Sequence, residues 1–350
     1  MGVREELHEQ PKSLARLLDQ GVGPVRDAAT ILADPDVDHV VIVARGTSDN
    51  AARYAQYAWG ANNRLAVTLA TPSLFGPYGR PVDLTGAAVV AISQSGASPD
   101  LRAVVEAATA QGRRTVAITN TPDSPLGHAA SCVVPLFAGE ERAVAATKTY
   151  SAELLAVAMF AVLMRGGDLG EVAELPGLVA RALAVPGVDE AAAHHADADD
   201  CVVLGRGCHL ATAHEWALKL QELAAVVAQP WSTADFAHGP IAVVDEGFPV
   251  LAVSAQGPLH GQVVELVRRL RTERGADTTL VSDADSDAAV SGDDPTATAD
   301  RVIAIPGAAP EWLTPVVVAP IIQRFAIAFA AARGLDPDEP RALTKVTRTH

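Results

Sequence analysis

His39-Val40-Val41-Ile42-Val43-Ala44-Arg45-Gly46-Thr47-Ser48 is the stretch that decides the architecture. Its short apolar run, His39 to Ala44, has the length and β-branched character of a strand buried on both faces. It breaks off at a glycine followed by two hydroxyls, and a helical pattern runs from Asp49 to Trp59. Downstream, Ala87 to Ile92 reads as a second strand, Asp100 to Gln111 as a helix and Thr115 to Thr119 as a third strand. Strands and helices in alternation imply a parallel sheet covered by helices on both faces.

The pattern recurs further along. Ala44-Arg45-Gly46 matches Gly205-Arg206-Gly207, and Ala91-Ile92-Ser93 matches Ala252-Val253-Ser254. Arg45 to Arg206 and Ser93 to Ser254 share one offset, 161 residues. A Val-Val-Glu triplet follows on the next helix in each copy, and Thr279-Leu280-Val281 supplies the third strand of the second. A duplication explains this better than chance. The reading divides the chain into an N-terminal helical segment (1–30), a first α/β unit (31–170), a second (185–335) and a tail (336–350). The helical stretch Thr149 to Met164 closes the first unit, and residues near Gly166 to Val188 bridge the two. The acidic stretch from Ser282 to Asp300 reads as a solvated loop inside the second.

Composition narrows the class. The 350 residues are 49% hydrophobic and 20% charged, enough to bury a sizeable core in two domains. A formal net charge of -15 argues against nucleic acid and against anionic membrane surfaces as partners. The N-terminus lacks the apolar core of a signal peptide, the run Leu154 to Met164 is too short to span a bilayer, and Gln323 and Arg324 break the oily C-terminal run. Cys132, Cys201 and Cys208 are odd in number and lack CxxC spacing, which fits a reduced, cytoplasmic compartment. The histidines lack metal-ligand spacing, and no nucleotide fingerprint is visible, so no metal or cofactor is expected.

In an open parallel sheet, ligands bind beyond the carboxyl ends of the strands. Two hydroxyl-rich segments fall there: Gly46-Thr47-Ser48 and Ser93-Gln94-Ser95-Gly96-Ala97-Ser98. Ser98 is placed as an N-cap and Pro99 as a first helical residue, so free N–H groups and the helix dipole would favour phosphate. A serine-rich turn usually only caps its helix. Here the matching turn, Ser254-Ala255-Gln256-Gly257-Pro258, has lost most hydroxyls yet must still turn, so only the first copy is equipped for an anion.

A second cluster lies in EWALKLQELAAVVAQPWSTADFAHGP, Glu215 to Pro240. Glu215, Lys219 and Glu222 share one helix face, and His238 precedes Gly239-Pro240. Two carboxylates, an amine and an imidazole suit proton traffic. The chain has 23 arginines but only four lysines, Lys12, Lys148, Lys219 and Lys345. Scarcity marks each lysine for chemistry that arginine cannot do, such as acting as a neutral nucleophile when desolvated.

The motifs GTS, SQSGxS, VAATK, LGRG, ExxLKxxE, HGP and DEPRALTKVT resemble, in this order, the sugar isomerase (SIS) family. The likeness is to the isomerase half of glucosamine-6-phosphate synthase and to related aminosugar-phosphate deaminases. It implies an α/β fold of two tandem SIS domains, each a doubly wound parallel sheet of flavodoxin-like type, working as a homodimer on a small-molecule sugar phosphate. By position, Ser93, Gln94, Ser95 and Ser98 with Gly46, Thr47 and Ser48 match the sugar-phosphate loops. Val144 and Ala146 match the segment lining the sugar. Glu222 matches the base that moves a proton between sugar carbons 1 and 2, with Glu215 and Lys219 as its helix partners. His238 matches the ring-opening histidine, contributed across the dimer interface, and Lys345 the amine that forms a Schiff base with the keto sugar.

The match departs in places. No glutaminase precedes the SIS pair, which favours release of ammonia over its capture from glutamine. Ala97-Ser98-Pro99-Asp100 is closer to the deaminase type, and Arg45 replaces a cysteine common in synthases, where it could meet a different sugar substituent. Gln229 and Asp235 stand where synthases usually carry glutamates. The expected function is therefore an aminosugar-6-phosphate deaminase/isomerase. A synthase-type enzyme using free or partner-supplied ammonia, and a non-catalytic sugar-phosphate sensor, are the alternatives.

Overall fold

The computed structural model describes residues 2–283 and 298–345. Contacts divide the chain into two compact units. Glu9–Pro176 joins the C-terminal residues from Thr344, and Gly177–Leu343 joins the N-terminal residues to His8.

In the first unit the strands are β1 (His39–Val43), β2 (Ala66–Leu69), β3 (Ala87–Ser93), β4 (Arg114–Thr119) and β5 (Cys132–Pro135), in the order 2-1-3-4-5. All pairs are parallel, with His39 opposite both Ala66 and Ala87. The second unit repeats this with β6 (Asp200–Gly205), β7 (Val227–Ser232), β8 (Pro249–Val253), β9 (Asp277–Asp283) and β10 (Arg301–Ile305), in the order 7-6-8-9-10. Each is a doubly wound, flavodoxin-like sheet flanked by helices. The strand order reverses at β1/β3 and at β6/β8, and it is there that the loops part to leave a crevice.

The central strand β3 is buried along its whole length, as its unbroken apolar sequence requires. Helix Lys148–Met164 is buried on nearly every face and packs on helix Thr47–Asn63. There the Trp59 indole donates to the Val157 carbonyl at 2.9 Å and lies 5.6 Å from the Phe160 ring. In the second unit, helix His209–Ala224 packs on helix Thr314–Ala332, with Trp216 edge-on to Phe325 at 5.0 Å. The oily helix is not interrupted at Gln323 and Arg324. Gln323 is buried, and Arg324 reaches Asp189 at 2.9 Å and the Val185 carbonyl at 2.7 Å. The segment Glu311–Ala332 is long and apolar enough to cross a membrane, but 78% of its most apolar window is buried in the fold, as in a core helix.

The N-terminal segment is three helices, Val3–His8, Gln10–Gln20 and Val22–Leu32, rather than one piece. The first belongs to the second unit because the Val3 amide donates to Asp338 at 2.5 Å. The next is tied to the first unit by the ion pair of Glu9 with Lys148, also 2.5 Å. Within the stretch read as bridging, Leu169–Val172 forms a short 3-10 turn and Leu175–Ala182 a helix. Most of the acidic stretch, residues 284–297, lies outside the described residues, as does the tail from Val346.

Candidate active site

At the reversal point of the first unit, the loops after β1 and β3 enclose a cavity of about 350 Å³. Its lining includes Gly46, Thr47, Ser48, Ser93, Gln94, Ser95 and Ser98, and on another side Val144, Ala146 and Lys345. Ten residues singled out from sequence thus meet in one place. Gly46 makes the first turn possible with φ +55° and stands at the N-cap of helix Thr47–Asn63. Gly96 has φ +61°, and a Cβ there would come within 2.0 Å of the Ser124 hydroxyl, so both backbone and space demand glycine.

The second loop is held open by its own bonds. The Gly96 amide donates to the Ser93 hydroxyl at 3.1 Å, and the Asn120 amide to the Gln94 carbonyl at 3.2 Å. Ser98 sits in extended N-cap geometry and Pro99 begins the helix, as read from sequence, but the Ser98 hydroxyl makes no capping bond. It stays free for a ligand. Ser48 is different: its single hydroxyl proton goes to the buried Glu153 carboxylate at 2.7 Å. The loops bring two helix N-termini and several hydroxyls to one cavity, an arrangement suited to a phosphate-sized anion.

Lys345 is fixed from below by an acid that sequence reading missed. Glu141 is fully buried at the start of helix Lys148–Met164. It accepts from the amides of Thr147 at 3.0 Å and Thr149 at 3.1 Å, and from the Thr149 hydroxyl at 2.6 Å. Lys345 Nζ completes the set at 3.2 Å. The amine is thereby held at the cavity wall.

The second unit carries the Glu215–Lys219–Glu222 row on helix His209–Ala224. Glu215 and Lys219 are fully buried and 3.4 Å apart, and Lys219 also pairs closely with the part-exposed Glu222. Burial disfavours the Lys219 charge, but the two carboxylates outweigh it and hold the amine above its ordinary range. Lys219 is therefore a fixed cation, not the neutral nucleophile that lysine scarcity suggested. Glu222 opens onto a cavity of about 190 Å³ whose other walls include Asp336, Glu339 and Arg341. His238 is exposed at the end of helix Thr233–Ala237, and among the described residues it makes no hydrogen bond or ion pair with the row.

The SIS domain pattern matches residues 35–163 and again 196–318. The chain belongs to the SIS domain family. The isomerizing glutamine–fructose-6-phosphate aminotransferase of Streptomyces coelicolor is 33% identical over 97% of this chain, which spans 58% of that protein. The C-terminal domain of glucosamine-fructose-6-phosphate aminotransferase from Francisella tularensis superposes with a TM-score of 0.83 at 25% identity, covering 95% of this chain and 96% of that one. Glucosamine-6-phosphate deaminase from Thermotoga maritima shares the fold, with a TM-score of 0.78 at 20% identity and 99% of each chain covered. The chain spans a little over half the length of the curated aminotransferases it matches.

The second SIS domain is not equipped like the first. Gly207 and Gly257 lie 161 residues after Gly46 and Gly96, yet between them stands the carboxylate of Glu311. Its oxygens lie 3.5 Å and 2.1 Å from where Cβ atoms on the two glycines would be. The Gln256 amide, the counterpart of Ser95, donates to Asp283. The domain fills its own crevice with carboxylates. Elsewhere, His194, His195 and Asp277 have metal-like spacing, a grouping that sequence spacing did not reveal. Arg301 bonds both His194 and Asp277 and so already supplies the positive charge there.

Proposed function

We propose that the chain binds an aminosugar 6-phosphate in the first SIS domain and converts it to a ketose phosphate and ammonia. The observation that carries this is the single cavity that joins the hydroxyl loops to Lys345. Thr47, Ser93, Gln94, Ser95 and Ser98 hold the phosphate with the two helix N-termini. Val144 and Ala146 line the sugar, and the Lys345 ammonium offsets the negative charge that develops on the carbonyl oxygen. His238, supplied by the second subunit of a homodimer, opens the ring. Glu222 carries the proton from carbon 2 to carbon 1, with Lys219 and Glu215 as its partners on the helix. The resulting ketose imine takes up water and releases ammonia. An enzyme of this kind works in the cytoplasm.

The synthesis direction is the second reading, favoured by the 31–34% identity to aminotransferases. The deaminating reading is favoured by the Ala97-Ser98-Pro99-Asp100 form of the loop and by Arg45. Incubation with glucosamine 6-phosphate, with and without glutamine, separates the two. Fructose 6-phosphate and ammonia formed without glutamine support deamination, and amination of fructose 6-phosphate by ammonium without that release supports synthesis.

A further inference from the structure

Arg45 lines the same cavity. It lies two residues past β1, before the glycine that turns into helix Thr47–Asn63. Its Nε donates to Asp100 Oδ2 at 2.8 Å, and Asp100 is 5% exposed at the first turn of helix Pro99–Ala110. That one bond ties the end of β1 to the helix that follows the serine loop. It also fixes the plane of the guanidinium while engaging one of its three nitrogens. Among the described residues, neither terminal nitrogen has a protein partner. A side chain locked at Nε and open at both ends is prepared for a forked, two-point contact with a planar or tetrahedral oxyanion.

The surroundings make this cation necessary. Asp100 places a carboxylate at the helix N-terminus that a phosphate would use, and Asp49 stands in the first turn of the other helix. Burial raises the Asp49 carboxyl, with Arg53 and then Arg45 opposing the shift. Asp49 keeps Arg53 at 3.2 Å, but without Arg45 the Asp100 carboxylate would face an incoming dianion with no paired cation, in a chain of net charge -15.

We infer that Arg45 is a phosphate-clamping residue of the first SIS domain, oriented by Asp100, and that it selects phosphorylated sugars. This places it on the phosphate rather than on a sugar substituent, which its sequence position alone left open. The inference rests on the proposed sugar-phosphate site but not on the deamination chemistry.

Calorimetric titration with inorganic phosphate and with glucosamine 6-phosphate tests it on the parent protein and on Arg45→Ala, Arg45→Lys and Asp100→Asn. Loss of a charge-assisted pair predicts about 10- to 100-fold weaker phosphate binding for Arg45→Ala. Arg45→Lys should recover only part, because an ammonium cannot hold Asp100 and fork onto phosphate together. Asp100→Asn should weaken phosphate binding by less than Arg45→Ala. Thermal melting of the ligand-free variants reads out any folding defect separately. Phosphate affinity of Arg45→Ala within two-fold of the parent overturns the inference, as does weakening seen for the sugar phosphate but not for phosphate. If phosphate binding falls as expected while the parent turns over no aminosugar phosphate, the clamp stands and the deaminase reading fails.

Discussion

Lys219 carries the clearest lesson at the scale of single residues. Composition marks it as rare, and its spacing puts it between two acids, but only burial decides what it does. With Glu215 beside it and fully enclosed, the amine cannot give up its proton cheaply and serves as a permanent positive charge. Lys219→Met should cost about 3–5 kcal/mol of stability by stranding a buried carboxylate, and adding Glu215→Gln should return part of it. Urea unfolding midpoints at constant m-value measure both. Glu222, at the exposed end of the row, is expected to act on substrate instead. Glu222→Gln should leave phosphate binding nearly intact and abolish turnover. Equal loss of both would show that its role is structural. Glu141 and Glu153 escaped the sequence reading because nothing in a one-dimensional pattern tells a buried acid holding a lysine or serine from a solvated one.

At the scale of elements, the serine loop and helix His209–Ala224 make different demands. The loop turns on Gly96, where positive φ and the closeness of Ser124 act together. Gly96→Ala should therefore lose phosphate binding in calorimetry. Adding Ser124→Gly should relieve the clash but not the backbone strain, so recovery should be partial. The helix starts at His209, which is buried and bonded to Thr314 Oγ1 at 2.9 Å and Thr212 Oγ1 at 3.3 Å. Burial pushes its imidazole down to about 3 from 6.5. The unfolded chain thus binds a proton that the folded chain refuses between those values. Stability is complete above pH 6.5 and is lost as pH falls from there toward 3. One such group contributes a slope of about 1.4 kcal/mol per pH unit. Denaturation of His209→Gln from pH 7 to pH 4 should show a correspondingly shallower fall than the parent. The helix was visible in the sequence through the spacing of Glu215, Lys219 and Glu222, and the loop through its run of small hydroxyls between a strand and a helix. The division of the N-terminal helices was not, since it depends on distant partners, Asp338 and Lys148.

At the scale of the whole molecule, duplication is the organising fact. The offset of 161 residues, read from a few triplets, proved to be two sheets with the same strand order. What the repeat could not reveal is how the copies diverged. In the second domain Glu311 and Asp283 stand where an anion would sit, and they come from segments with no motif to mark them. Calorimetry with inorganic phosphate should accordingly give one site per chain. Two equal sites would contradict the self-filled crevice. The central claim, a first domain that holds the phosphate of an aminosugar for proton transfer by Glu222, is tested most directly by turnover. Purified protein given glucosamine 6-phosphate without glutamine should release ammonia and fructose 6-phosphate in equal amounts, and Glu222→Gln should release neither. Absence of any product from glucosamine, galactosamine and fructosamine 6-phosphates, by a protein that binds phosphate, would contradict it.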